Sequence, residues 1–182
     1  MAHLIYSSIA SLDGFVADRA GNFDWGMPDP AVHTAVNDLM GTIGTQLVGR
    51  RLYEIMRFWD TVDDDAPEMV EFAELWRGAD KVVFSSTLES IDAPRTRLER
   101  EFRADDIAEL KRTADRHLSI GGPTLAAHAL RAGLVDEVHL YTSPVIVGGG
   151  TALWPEDLRL DLELFDERRF GNGVVYTAYR VS

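Results

Sequence analysis

Residues 3–10 alternate and are rich in Ile, Leu and Tyr, which predicts a buried first strand. Asp13-Gly14 is a turn signal, and the Gly-, Asp- and Pro-rich stretch 14–30 reads as irregular. Val32, Val36, Leu39, Met40 and Ile43 then fall at helical spacing after Pro30, with Gly44 as the expected stop. Gln46-Leu47-Val48-Gly49 reads as a short central strand, residues 50–58 as a short helix and residues 60–66 as an acidic loop. A helix opens at Pro67, runs through Leu75 and Trp76, and closes at Gly78. Lys81 to Phe84 is a strand, residues 97–102 another, and Asp105 or Asp106 caps a helix to Thr113. His117 to Ile120 is a strand, followed by Gly121-Gly122 and a helix from Pro123 to Arg131 with Gly133 at its end. Residues 135–142 and 144–147 form a strand pair or one bent strand, broken by Gly148-Gly149-Gly150. Residues 160–181 read as two strands around an Asn172-Gly173 hairpin turn.

Strands alternating with helices imply an α/β fold: a mainly parallel sheet covered on both faces, with an antiparallel C-terminal hairpin on one edge. The 182 residues fit one domain, 1–182. The 30 acidic and 18 basic side chains argue against nucleic acid and anionic membranes as partners. They leave room for a small anionic ligand held by a few Arg and backbone N–H groups. The absence of cysteine excludes disulfides and thiolate catalysis, and the five His show no zinc-ligand spacing. The chain start has no signal-peptide pattern and no apolar run spans a bilayer, so the expected location is cytoplasmic.

In an open α/β sheet, ligands bind beyond the carboxyl ends of the strands. Three such ends carry phosphate-compatible chemistry. Gly49-Arg50-Arg51 joins a glycine, a helix start and two guanidinium groups. Phe84-Ser85-Ser86-Thr87 offers small hydroxyl side chains, although an ordinary capped turn has the same composition. Gly121-Gly122-Pro123-Thr124-Leu125 takes a strand into a helix whose free N–H groups suit a pyrophosphate. It is not the GxGxxG fingerprint. Three convergent strand ends suit one elongated dinucleotide.

Two further stretches complete a pattern with that glycine turn: Leu130-Arg131-Ala132-Gly133-Leu134-Val135-Asp136-Glu137 and Pro144-Val145-Ile146-Val147-Gly148-Gly149-Gly150. With Ser11-Leu12-Asp13-Gly14 and Val48 to Glu54, they resemble the C-terminal reductase domain of the bifunctional riboflavin-biosynthesis deaminase/reductase. That domain belongs to the dihydrofolate-reductase-like superfamily. The resemblance covers nearly the whole chain and implies a three-layer fold, NADPH as hydride donor and a homodimer. By position it implies cofactor contacts from Gly49, Arg50, Arg51, Phe84, Ser85, Ser86, Gly121, Gly122, Thr124 and Leu125. The backbone of Ile9 and Ala10, with Val16 and Ala17, would meet the nicotinamide.

Trp25-Gly26-Met27-Pro28 resembles the Trp-x-x-Pro segment of dihydrofolate reductase, which carries its acid two residues after the proline. Here that position is Pro30, with Asp29 one residue early. Asp13 and Asp29 are the candidate catalytic residues, and Asp13 and Trp25 the candidate substrate contacts. Asp24 and water are further candidate proton sources. A turn role for Asp13 and a core role for Trp25 are at least as compatible with the sequence. The expected reaction is NADPH-dependent reduction of a heterocycle of the ribosylamino-pyrimidine type. Pterin reduction and a non-catalytic NADPH-binding role are the alternatives.

Overall fold

The first strand forms as β1 (Leu4–Ser11), with Leu4, Ile5 and Tyr6 at most 2% exposed. A computed structural model describes residues 1–182. The chain continues through β2 (Phe15–Asp18), a single 3-10 turn at Asp24–Gly26 and α1 (Pro30–Met40). Next come β3 (Ile43–Gly49), α2 (Arg50–Met56), α3 (Phe58–Thr61), α4 (Pro67–Gly78) and β4 (Asp80–Phe84). Then follow β5 (Thr96–Glu99), α5 (Ala104–Thr113), β6 (His117–Gly121), α6 (Pro123–Arg131) and β7 (Glu137–Ser143). The chain closes with β8 (Gly150–Ala152), β9 (Leu162–Arg169) and β10 (Val175–Val181).

Eight strands form one sheet in the order β5-β4-β3-β6-β1-β7-β10-β9. The first six run parallel, and the β9–β10 hairpin adds antiparallel pairing to β7. Alternate strand residues face opposite sides. Leu47, Val82, Leu118 and Ile120 pack with Ile107 of α5 and Leu125, Ala126 and Leu130 of α6. On the opposite face Val48 and Val83 pack with Tyr53, Phe72 and Trp76 of α2 and α4, while Val32 of α1 meets Tyr141, Phe170 and Val174. The result is the dihydrofolate-reductase-like three-layer arrangement. No helix is long and apolar enough to cross a membrane.

The structure corrects several expectations. Helix α1 stops at Met40 with Gly41 as its cap, and Gly44 lies inside β3. Ile43 has a helical spacing but pairs with His117 in the sheet, where it is 1% exposed, so strand pairing overrides local periodicity. The cap of α5 is Arg103, without a side-chain bond; Asp105 and Asp106 lie in its first turn, where they suit the helix dipole. The acidic loop is shortened by α3, which reaches Thr61, and β5 ends at Glu99. Residues 144–147 form no strand. The stretch 14–30 is partly regular: β2 pairs antiparallel with β8. Gly150, at φ +141°, makes that pairing possible, because an added Cβ would stand 2.0 Å from Ala17 O.

Candidate active site

The strand order puts β4, β3 and β6 side by side, with Gly49 opposite Phe84 and Val48 opposite Gly121. The three candidate segments therefore meet at one rim of the sheet. Gly49 and Gly122 are the caps of α2 and α6, and neither helix start has a side-chain cap. The first N–H groups of a helix lack intrahelical partners, so two sets of free donors adjoin here. Gly122 holds φ +86°, and a Cβ there would fill the notch at 3.8 Å from Gly49 N. Gly121 has a packing role, since a Cβ would meet Leu52 Cδ2 at 2.4 Å. Thr124 is exposed at the mouth of α6, whereas Leu125 is buried and offers only its backbone.

The two arginines differ. Arg50 Nε donates to Glu54 Oε1 at 2.7 Å, and its Nη1 donates to Thr87 Oγ1 at 2.7 Å. It ties α2 to the turn after β4. Arg51 is exposed and unpaired. Ser85 Oγ accepts from the N–H groups of Thr87 and Leu88 at 3.2 and 3.0 Å, so its hydroxyl caps a turn. Arg100 holds the same turn by donating to the carbonyls of Ser85, Leu88 and Glu89. Ser86 is exposed beside it. Phe84 is partly buried against the core.

A cavity of about 270 Å³ opens at the end of β1. Ile9, Trp25, Met27, Val32, Val145 and Asn172 are among its walls. The indole Nε1 of Trp25 is shielded from solvent and has no acceptor. Ala10 is buried in the core and Val16 packs against the same core, and neither is among the walls of the cavity. Ala17 belongs to β2, beside Gly150. Asn172 was legible only as a turn residue. It reaches the cavity because β10 lies beside β7, and strand order carries no local sequence signal.

Asp13 accepts from Val147 N at 3.1 Å and Gly148 N at 2.8 Å, pinning the 144–148 loop. Partial loss of water pushes its carboxyl up, but bonds from Ser11, Gly148 and Val147 outweigh this and leave it below its usual range. Asp29 caps α1, its Oδ1 accepting from Val32 N at 2.9 Å. Both candidate acids are thus committed as acceptors to backbone N–H groups. Asp24 is exposed in the 3-10 turn.

A second, larger cavity of about 680 Å³ lies behind α2, between Tyr53, Arg57, Lys81 and Ile91. Its buried lysine is spent on structure: Lys81 Nζ donates to the carbonyls of Trp76 and Ala79, both at 2.9 Å.

The family model of the RibD C-terminal domain matches residues 2–176. The chain belongs to the RibD C-terminal domain family. Among curated proteins, the uncharacterized protein YyaP of Bacillus subtilis (strain 168) is 28% identical over 178 residues, covering 97% of this chain and 93% of its own. Among solved structures, a Shewanella sp. PV-4 protein described as a riboflavin biosynthesis protein superposes with a TM-score of 0.79 at 24% identity. It covers all of this chain and 99% of its own. A pyrimidine reductase-like protein from Corynebacterium diphtheriae matches with a TM-score of 0.71 at 18% identity, over all of this chain and 92% of its own. These likenesses establish a RibD C-terminal domain fold.

Proposed function

We propose that this protein is an NADPH-dependent reductase of a small conjugated heterocycle, of the pyrimidine reductase type. The observation that carries the reading is the notch between the uncapped starts of α2 and α6, kept open by Gly49 and Gly122 and flanked by Arg50 and Arg51. Backbone N–H groups at paired helix starts fit a pyrophosphate. Arg51, free of other partners, fits the 2′-phosphate, with Arg50 held in reserve by Glu54 and Thr87. When bound, NADPH supplies a hydride to the carbon of a C=N or C=O bond. The chain's own contribution is alignment: Ile9 and Trp25 wall the acceptor cavity at the end of β1. No carboxylic acid lines that cavity, so the heteroatom takes its proton from water.

Turnover tests this directly. NADPH absorbance is followed with 5-amino-6-(5-phosphoribosylamino)uracil, its unphosphorylated riboside and dihydrofolate. Oxidation with either pyrimidine supports the reading. Oxidation with dihydrofolate alone assigns pterin reduction. Tight NADPH binding without turnover on any acceptor assigns a non-catalytic role. We further propose a homodimer through the C-terminal hairpin. Every residue of the edge strand β9 is exposed, including Leu162, Leu164 and Phe165. Sedimentation of the wild type as a monomer would refute it.

A further inference from the structure

Building on the reductase reading, we infer that Ser143 and Asn172 set substrate specificity by donating to a ring carbonyl of the acceptor, so that the cavity selects an oxo group over an amino group at that edge. Ser143 ends β7 and is 2% exposed. Tyr141, two residues earlier, packs on Val32 and Val174. Strand alternation puts Ser143 on the same face, and it lines the cavity with those two valines. Its hydroxyl has no partner within the protein, and a buried polar group left in that state is costly until a ligand or a water completes it.

The β9–β10 hairpin brings the second group alongside. Its Gly173 lies against Pro144, where an added Cβ would stand 3.2 Å from Pro144 Cγ. Asn172 therefore meets the segment that follows Ser143, and both side chains line the one cavity of about 270 Å³. Val174 N donates to Asn172 Oδ1 at 3.1 Å. That bond settles the orientation of the amide, since only its oxygen accepts, and the NH2 end is the free one. Pro28 and Pro144 bring no backbone N–H to the wall, and none of the lining residues is charged. The other side-chain nitrogen of the wall, Trp25 Nε1, is a donor as well. The side-chain polarity of the cavity is thus weighted towards donors, with the Ser143 hydroxyl able to turn its proton either way. A ring carbonyl matches this edge. An exocyclic amino group in its place sets N–H against N–H and leaves the Asn172 donors unpaired.

The test is anaerobic calorimetry with 5-amino-6-(5-phosphoribosylamino)uracil and two analogues, one with an amino group in place of the 2-oxo group and one with an amino group in place of the 4-oxo group. Titrations are run without NADPH and again at saturating NADPH. The expected result is that the dioxo compound binds at least about tenfold more tightly than one of the analogues. Asn172→Asp keeps an oxygen for Val174 N and exchanges the free NH2 for a second oxygen, so that preference should fall by about tenfold or more. Repulsion by the added charge acts on all three ligands alike and cancels in the ratio. Ser143→Ala removes a hydroxyl with no partner in the protein, so it should melt at the wild-type temperature while the preference falls about threefold. Equal binding of all three compounds by the wild type overturns the inference. So does a preference unchanged in both variants, or failure of the dioxo compound to bind. An intact preference with no NADPH oxidation by the dioxo compound overturns the reductase reading and leaves this inference standing.

Discussion

Replacing Gly122 by alanine distinguishes a phosphate cradle from an ordinary tight turn. Gly122 stands at φ +86°, ψ 116°, as the cap of α6. An L-residue held there carries strain on the order of 1–3 kcal/mol. Reduced freedom of the unfolded chain returns about 0.4–1 kcal/mol. The added methyl meets Gly49 N at 3.8 Å and Leu52 Cβ at 3.9 Å, which is ordinary contact, so no clash is added. The net cost is about 1–2 kcal/mol, or roughly 2–8 °C in Tm for a chain of this size. The methyl also fills the notch between the two helix starts, and NADPH affinity should fall by about tenfold or more, ~1.4 kcal/mol. Gly133→Ala is the control. Gly133 also has a positive φ, +65°, but lies past the far end of α6 with nothing within 4 Å of its Cβ. Its strain is about 1–2 kcal/mol. Thermal melts should show comparable losses for both variants, while calorimetry should show lost NADPH affinity for Gly122→Ala only. Unchanged affinity in Gly122→Ala, or equal losses in the two variants, would refute the cradle.

Two further outcomes follow from the titratable groups. Glu137 accepts from His3 Nδ1 at 2.7 Å and His139 Nε2 at 3.0 Å. Burial pushes its carboxyl up, but these two histidines outweigh that and hold it below its usual value. The stability it contributes is therefore full above the unfolded carboxyl value near ~4.3 and is lost as pH falls through the lower folded value. Glu137→Gln should cost about 1–2 kcal/mol at neutral pH and flatten the acid limb of the stability curve in denaturant titrations. An unchanged limb would show that the pair of bonds is inert. Asp13 stays ionised through the neutral range, so Asp13→Asn should leave the acid limb of the kcat–pH profile in place while amide exchange at Val147 and Gly148 accelerates. A displaced kcat limb would assign the proton to Asp13.

Much of the fold is legible because its signals are local. Pro123 and Gly133 bracket α6 at its observed bounds, and Asn172-Gly173 marks the β9–β10 hairpin. The misreadings fall where distant pairing decides. Ile43 follows the helical period of α1 yet is held in the sheet by β6. The β2–β8 pairing joins residues 15–18 to 150–152, and no local pattern announces so distant a partner. At the site, the three strand-end segments were recognisable by composition, and strand order brings them to one rim. The roles of individual polar groups were not recognisable. Asp29 reads from the sequence as a candidate acid, and its place as the cap of α1 shows only where Val32 N donates to it. Ser85 reads as either a cofactor contact or a capped turn, and its hydroxyl accepts from the N–H groups of Thr87 and Leu88.

Isothermal titration of NADPH and NADH into the wild type and Arg51→Ala tests the central claim most directly. The account predicts that the wild type binds NADPH at least about tenfold more tightly than NADH, and that Arg51→Ala removes about tenfold or more of that preference, as expected for one charge-assisted contact to a phosphate. Equal affinity of the wild type for the two nucleotides, or no binding of either, would contradict it.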